Sequence, residues 1–411
     1  MPRMNPLWRG RSLALLGILL VALSLRTAVA AISPIVAEIS GSIPLDAIRL
    51  GVIGMLPPLC FAVFGMVTPA MARRLGLELS TLLILAVIAT GHVVRAAAGG
   101  FGLLLVGSVL AFAGMGAGNV LLPPLVKRYF PDRIGLVTAL YVTVVAVSTF
   151  VPPLVAEPIA DSAGWRVSLG VWAVLAVVAA APWVRVLGQR RADREEGILS
   201  VLGVKTLRAP VWRSRTARAI TLIFAVASFN AFSMFAWLPQ LLTDTAGLSS
   251  TEAGAALSLY AAVGVPLALV VPVVAARLGN VSSLIIIGVA GLVVGYLGLL
   301  MWPSAVPWLW VAVAGIGPIM FPLALVLITL RTRSHETAAE LSGFVQGFGF
   351  LVAAIGPLLF GLLRAQTGSW SISIVMMLVV SGITMLAVPA LSLPATVEDD
   401  VDAGHPPRVY Q

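Results

Sequence analysis

A single arginine interrupts an apolar run near the start of the chain. Arg26 lies in VALSLRTAVAAISP, residues 21–34, which is otherwise typical of a membrane helix. A guanidinium is effectively never deprotonated in a protein, and at the centre of a bilayer it costs about 2.5 to 3.5 kcal/mol on insertion scales. Its planar fork of donors matches carboxylates and other planar oxyanions better than an ammonium does. Arg26 is therefore a candidate contact for an anionic solute, the alternative being a structural residue bonded to backbone carbonyls.

Three other ionisable side chains fall within apolar runs and are candidates for coupling to an ion or a proton. His92 and Arg95 lie about one turn apart, so a helix would present them on a shared face. Glu157 lies towards the end of a later run. No Asp or Glu lies deep in an apolar run, so the interior is predicted to be net positive, which suits an anionic solute. The alternatives are that Arg95 extends its head group to the membrane surface and that His92 is a hydrogen-bonded packing residue.

Uncharged polar and aromatic side chains also lie within the apolar runs. An amide or phenol inside lipid must find a hydrogen-bond partner, so each is expected to face protein or a cavity. We predict that these residues either line a solute cavity or bond neighbouring helices together. The candidates for substrate binding are Asn119, Tyr141, Asn230, Trp237, Tyr260 and Gln346.

The composition shows what kind of protein must position these residues. The chain has 411 residues, of which 59% are hydrophobic and 10% charged, whereas a soluble domain carries about 25% charged residues. Such a chain cannot cover a globule with polar surface and is typical of a multi-pass membrane protein. Its single cysteine, Cys60, excludes an internal disulfide framework. The first apolar run is too long for a signal peptide, so we predict a retained helix.

Twelve apolar runs are long enough to cross a membrane, which takes about 20 residues each. They predict an all-α membrane protein with twelve transmembrane helices in two six-helix bundles. The bundles are expected at 1–187 and 217–394, joined by a cytoplasmic linker at 188–216, with an acidic, disordered tail at 395–411. The predicted spans are 12–36, 48–71, 78–97, 101–126, 134–158, 166–187, 217–242, 252–276, 281–301, 306–330, 337–363 and 371–393.

The basic residues predict the orientation of these spans. With the N-terminus inside, most of the 26 Lys and Arg residues fall on the cytoplasmic side, and only Arg49, Arg166 and Arg364 fall on the other side. The positive-inside rule therefore predicts a protein of the cell membrane with both termini in the cytoplasm. The same asymmetry explains the net charge of +9, so no nucleic-acid partner is needed. The expected partners are the lipid bilayer and a small-molecule substrate, and the protein is expected to be a monomer.

The two halves of the chain repeat each other. PAMARRLG at 69–76 matches PVVAARLG at 272–279, and PPLVAEPIADSAGWRVSL at 152–169 matches PLLFGLLRAQTGSWSISI at 357–374. The offsets are nearly equal, which indicates two bundles in parallel repeat, the arrangement of major facilitator transporters. That architecture implies a solute site near mid-membrane between the halves, with access that alternates as the halves rock.

The loop after the second span resembles a conserved loop of major facilitator proteins. In GMVTPAMARRLG at 65–76, Gly65, Arg73 and Arg74 fit the pattern G-x-x-x-D-R-x-G-R-R, whereas Pro69 replaces its acidic residue. The resemblance implies that Arg73 and Arg74 form part of a gating loop. The alternative is that they only anchor the loop on the cytoplasmic side.

Three segments together resemble the cyanate and 2-nitroimidazole transporter family (CynX/NimT). They are LSLRTAVAAISPIV at 23–36, LPPLCFAVFGMVTPAMARRLG at 56–76 and GMGAGNVLLPPLVKRYFPDR at 114–133. The last segment, with its N-V-L-L-P-x-x-V-K-R-x-F-P run, is the most specific. The resemblance covers most of the first half and implies a small-solute carrier without a cofactor.

Two functions remain open from the sequence. The first is a secondary transporter that moves a small anionic solute, cyanate-like or a small organic anion, by alternating access with Arg26 as the anion contact. The alternative is a proton-coupled exporter of a drug or nitroimidazole-like compound, although Pro152 and Pro153 replace the G-P expected in the fifth span of such antiporters. An enzyme is not indicated, since no motif has hydrolase or metal-ligand spacing, and the glycine run at 114–118 follows no strand.

Overall fold

The structure is a computed structural model that describes residues 11–190 and 211–403. In these ranges, eleven helical segments are long and apolar enough to span a membrane, and three of them, Trp165–Gly188, Pro307–Leu330 and Ser371–Leu391, each join successive shorter helices. The first half contains α1 (Ser12–Ser24), α2 (Val36–Ser40), α3 (Ala47–Leu75), α4 (Leu77–Ala96), α5 (Phe101–Tyr129), α6 (Ile134–Ala163), α7 (Trp165–Gly170) and α8 (Trp172–Arg190). The second half contains α9 (Arg215–Ala246), α10 (Ser250–Arg277), α11 (Ser282–Met301), α12 (Pro307–Ala314), α13 (Met320–Leu330), α14 (His335–Thr367), α15 (Ser371–Ile383), α16 (Val388–Leu391) and α17 (Val397–Ala403). The predicted helical membrane fold is confirmed.

The first span is broken, which differs from the continuous helix predicted at 12–36. Helix α1 has 13 residues, which reach only about 20 Å of a hydrocarbon layer about 30 Å thick. A non-helical segment at 25–32 follows, and a 3-10 turn at Ser33–Ile35 leads into α2. With this broken helix, the eleven longer segments make up the twelve membrane segments that the apolar runs indicate.

Local chemistry explains the break. Pro34 has no N–H and its ring would clash with a carbonyl one turn earlier, which disfavours a continuous helix through it. The Thr27 hydroxyl lies 3.3 Å from the carbonyl oxygen of Ser24, where α1 ends, within reach of a hydrogen bond. Such side-chain bonds offer the backbone an alternative to helical pairing.

The chain divides into two compact units. The first unit comprises Met1–Pro44 and Val63–Ser200, and the second comprises Leu45–Ala62 and Val201–Gln411. The early part of α3 is therefore grouped with the second half of the chain. Most of the predicted linker, 191–210, lies outside the described residues.

In the first unit, α4 and α5 approach closely because small residues face each other. A Cβ built on Gly107 would lie 2.7 Å from the backbone nitrogen of Arg95, closer than real Cβ contacts. Small residues are the usual means by which membrane helices approach and pack.

We expect Gly107→Val to destabilise the first unit by about 1–3 kcal/mol, because the added atoms must push α5 from α4. Thermal unfolding of the purified protein, followed by intrinsic fluorescence, measures the effect. Gly102→Val is the matched control, since a Cβ at Gly102 meets no atom within 4 Å. Equal melting temperatures for the two variants would contradict the close-packing explanation.

The segment after the last span contains a helix, α17, within the tail that we predicted to be disordered. Val397 is fully buried, and the Thr396 hydroxyl donates to Asp399 at 2.7 Å, which fixes the start of the helix. The Thr396 hydroxyl and amide, together with Arg333, hold the pKa of the Asp399 carboxyl below its usual range. This carboxylate is therefore charged at neutral pH. The remaining tail, 404–411, lies outside the described residues.

Candidate solute-binding region

Arg26 lies on the non-helical segment between α1 and the 3-10 turn. Its neighbours Leu25 and Thr27 are fully buried, and Arg26 itself is partly buried. Irregular backbone at membrane depth is tolerated only where it is enclosed by protein or lines a water-filled cavity. Broken membrane helices are also the usual places where transporters contact solutes and ions. Arg26, the sequence candidate best suited to bind an anion, therefore lies on the kind of backbone that contacts solutes in other transporters.

His92 holds the broken segment to two other helices of the first unit. Its Nδ1 lies 3.0 Å from the carbonyl oxygen of Leu169 on α7, and its Nε2 lies 3.2 Å from the hydroxyl of Thr27. A carbonyl can only accept, so Nδ1 carries the proton in that bond. In the neutral ring Nε2 then accepts from Thr27. His92 thus fixes the residue directly after Arg26.

Arg95 is enclosed by protein at the end of α4. It has 0% exposure, and its guanidinium carbon lies 5.8 Å from the centre of the Phe112 ring. Among residues 11–190 and 211–403, none provides a hydrogen-bond partner for its three guanidinium nitrogens. The alternative in which this head group extends to the surface is therefore not what the structure shows. A second permanent positive charge lies inside the first unit, one turn from His92.

Glu157 and the two loop arginines occupy less enclosed positions. Glu157 lies on α6, half-buried, directly before Pro158. Arg73 and Arg74 lie in the last turn of α3 and are exposed. Their position fits both a gating loop and simple charge anchoring.

A buried carboxylate at the other end of α4 was missed by the sequence argument. Glu78 is largely buried, accepts a hydrogen bond from the Tyr129 hydroxyl at 2.5 Å and lies 3.4 Å from Nε of Arg128. Glu78 lies beside a loop in the sequence, a position that is usually exposed to water. It is buried because α5 packs over it. Arg128 balances its charge, so the pair adds no net negative charge to the first unit.

Asn230 and Trp237, both on α9, bond to other helices of the second unit. The Asn230 side-chain oxygen accepts from the hydroxyls of Tyr296 at 2.9 Å and Ser381 at 3.2 Å. Trp237 donates from Nε1 to the carbonyl of Pro357 at 2.8 Å. These bonds connect α9 with α11, α15 and α14.

We expect Asn230→Leu to destabilise the second unit by about 1–3 kcal/mol, because the buried Tyr296 hydroxyl loses its acceptor. The variant pair Asn230→Leu and Asn230→Leu/Tyr296→Phe tests this reason by thermal unfolding. The double variant is expected to recover part of the lost stability. If it is no more stable than Asn230→Leu, the Tyr296 bond is not the cause.

The remaining polar candidates differ in their surroundings. The Asn119 amide donates to the carbonyl of Met115 on its own helix at 3.0 Å, and the Gln346 amide donates to the Ser342 hydroxyl at 2.8 Å. Tyr141 lies half-buried on α6. Tyr260 is fully buried, 6.1 Å from the ring of Phe235.

An open cavity of about 630 Å³ lies in the second unit, where α9 and α14 end. The Asp244 carboxylate there accepts from Nε1 of Trp370 at 2.9 Å and lies 3.4 Å from the Arg364 guanidinium. The guanidinium carbon also lies 5.0 Å from the centre of the Trp370 ring. The sequence argument missed this cavity, because Asp244 and Trp370 are 126 residues apart in the chain. Its two opposite charges, Asp244 and Arg364, balance each other.

Known proteins resemble this chain over nearly its whole length. The family model described as Major Facilitator Superfamily matches residues 14–317. The uncharacterized transporter YycB of Bacillus subtilis (strain 168) is 31% identical over 88% of this chain and 89% of its own. The 2-nitroimidazole transporter of Escherichia coli (strain K12) is 29% identical over 89% and 91%, and the cyanate transport protein CynX of the same organism is 26% identical over 87% and 91%.

A solved structure shows the same fold. It is a bacterial homolog of the human lysosomal transporter Spinster, in an inward-facing and unoccupied conformation. The two chains superpose with a TM-score of 0.70 over 97% of this chain and 98% of the other, at 14% identity. This likeness concerns the arrangement of the helices alone.

Proposed function

Because the chain belongs to the Major Facilitator Superfamily, we propose that it is a secondary transporter that carries a small anionic solute across the cell membrane, with Arg26 as the anion contact. The coarser part of this statement, a multi-pass membrane transporter of a small molecule, follows from the family and the relatives. The anionic cargo and the role of Arg26 are the proposal.

The observation that carries the proposal is the position of Arg26 on the broken first helix. A permanently charged group with a planar fork of donors lies on backbone that is free of helical pairing, beside two buried neighbours. Such a group gains most from a ligand that is both anionic and planar, because two parallel hydrogen bonds then form at once. Carboxylates have both properties, and the linear cyanate ion shares the negative charge.

The charge of the first unit supports the same conclusion. Arg95 is a second permanent cation buried there, and the carboxylate buried on the same helix, Glu78, is already paired with Arg128. A buried cation such as Arg95 favours anions and disfavours other cations nearby. The relative CynX, whose name states that it transports the anion cyanate, shows that a homologous chain serves such a cargo.

The relative named for 2-nitroimidazole favours a second candidate, proton-coupled export of a nitroimidazole-like compound. A 2-nitroimidazole is planar and rich in acceptor atoms, so the Arg26 fork also suits it. The two candidates differ in what drives transport, because the second needs a group that gains and loses a proton. Of the coupling candidates, His92 has both ring nitrogens hydrogen-bonded inside the first unit, which favours positioning over proton transfer.

A thermal-shift screen of the purified protein tests the proposal. Cyanate, formate, benzoate and 4-hydroxybenzoate are compared with uncharged 2-nitroimidazole at constant ionic strength. We expect one or more of the anions to raise the melting temperature of the wild-type protein and not that of Arg26→Ala, since only a ligand that binds the folded state stabilises it. Stabilisation by the neutral compound alone would replace the first candidate by the second.

A further inference from the structure

The chain after α16 turns back across the ends at which α9 and α14 begin. Arg331, directly after α13, is almost fully buried, and its guanidinium donates to the carbonyls of Leu393 at 2.6 Å and Leu391 at 3.2 Å. The Arg331 carbonyl in turn accepts from the amide of Val397 at 2.8 Å. One arginine therefore fixes both the exit from the last span and the entry into α17.

Two consecutive carboxylates of α17 then bind the start of α14. Glu398 accepts from the backbone N–H groups of Arg333 at 2.9 Å and of Ser334 at 3.3 Å. Asp399 forms an ion pair with the Arg333 guanidinium. The first residues of a helix have N–H groups without helical partners and carry partial positive charge, so carboxylates are favourable there.

The third carboxylate binds the start of a different helix. Asp400 accepts from the Ser214 hydroxyl at 2.7 Å and from the backbone N–H of Thr216 at 2.8 Å. Ser214 is the N-cap residue of α9 and accepts from the amide of Ala217. One short acidic segment thus satisfies donors at the beginnings of two transmembrane helices.

These two helices are also joined away from their beginnings, by the bond between Trp237 on α9 and Pro357 on α14. The carboxylates fix the pair at a second place, because Glu398 and Asp400 are held on the same turn of α17. Separation of the two helix ends requires that one of these carboxylates lose its partners.

We propose that residues 396–403 are an intramolecular clamp, in which Glu398 holds the start of α14 and Asp400 holds the start of α9. The partner of this surface is the acidic C-terminal segment of the same chain. The clamp limits how readily this end of the second unit opens, and the basic residues predict that this end is cytoplasmic. The inference does not depend on the cargo or on Arg26.

Hydrogen exchange of the full-length protein in detergent tests the clamp. The variant Glu398→Gln/Asp399→Asn/Asp400→Asn keeps the size of the side chains and removes their charge. We expect peptides that contain the amides of Thr216, Arg333 and Ser334 to exchange about tenfold faster in this variant, because charge-assisted hydrogen bonds no longer close that end. Peptides in the middle of α9 and α14 are expected to be unchanged.

Three controls keep the test decisive. Asp161→Asn removes an exposed carboxylate of the first unit, and a chain that ends at Ala403 keeps α17. Both are expected to exchange like the wild type. A chain that ends at Thr396 lacks α17 and is expected to show the same faster exchange at these amides as a folded triple variant. It provides the test if the triple variant folds poorly. Wild-type amides that already exchange as fast as those of the chain ending at Thr396 would overturn the proposal, and so would unchanged exchange in a folded triple variant. Arg26→Ala is expected to leave this protection intact, which separates the clamp from the proposed function.

Discussion

Uptake of a small anion is expected to fall by at least about 100-fold when Arg26 is replaced by Ala. Removal of one partner of a buried charge pair costs about 3–5 kcal/mol, because the other charge is left without compensation. Each 1.4 kcal/mol is a factor of ten in affinity. The measurement is the initial rate of radiolabelled cyanate uptake into proteoliposomes. Any other anion that stabilises the protein in the thermal-shift screen is tested in the same uptake assay.

Arg26→Lys separates the charge of this residue from its shape. Lysine keeps the positive charge but cannot form two parallel hydrogen bonds with a planar anion, so an intermediate loss of about tenfold is expected. Arg49→Ala is the matched control, since it removes a half-exposed arginine that is paired with its neighbour Asp46 on the surface. It is expected to transport like the wild type.

Anion uptake by Arg26→Ala at the wild-type rate, with equal protein in the membrane, would refute the anion contact. Export of 2-nitroimidazole that depends on the proton gradient and is unchanged in Arg26→Ala would then support the second candidate. The carrier fold is unaffected by either result, because it rests on the helices and on the family.

The membrane fold could be predicted because lipid imposes a simple requirement on the sequence. Each span must be about 20 residues long and apolar, and both the eleven long helical segments and the family match bear this out. The resemblance to cyanate and 2-nitroimidazole transporters, argued from the segments at 23–36, 56–76 and 114–133, is confirmed by relatives that match over most of the chain. The break after Ser24 was not predicted, since hydropathy measures apolar length and is insensitive to backbone conformation.

The polar contacts were harder to predict because they join distant parts of the chain. Asp400 and Ser214 are 186 residues apart, so an acidic, proline-containing tail suggested disorder although its carboxylates find donors at two helix starts. The enclosure of Glu78 likewise depends on Tyr129, 51 residues away. The sequence identified residues whose side chains can bind ions or solutes. The packing of the helices determines which of these residues are buried.

The contacts of His92 predict a second large effect, this time on the shape of the broken segment. His92→Leu removes both ring hydrogen bonds and leaves the Leu169 carbonyl and the Thr27 hydroxyl without this partner. The Thr27 hydroxyl keeps the Ser24 carbonyl as a partner, so the Leu169 carbonyl is the buried group that loses its bond, and a loss of about 1–3 kcal/mol in stability is expected. Thermal unfolding measures it, and a melting temperature within error of the wild type would contradict the hydrogen-bond assignment.

Two conservative variants separate positioning of Arg26 from general stability. The amide of His92→Asn is expected to replace Nδ1 and keep the Leu169 bond, whereas that of His92→Gln is expected to replace Nε2 and keep the Thr27 bond. If His92 positions Arg26 through Thr27, the Gln variant retains a nearly normal KM, and the Asn variant and Thr27→Val raise KM by roughly three- to tenfold, the worth of one net hydrogen bond. Thr27→Ser, which keeps the hydroxyl, is expected to transport like the wild type. If KM follows the melting temperature instead, with Asn and Gln equal, His92 only stabilises the first unit and Arg26 does not depend on it.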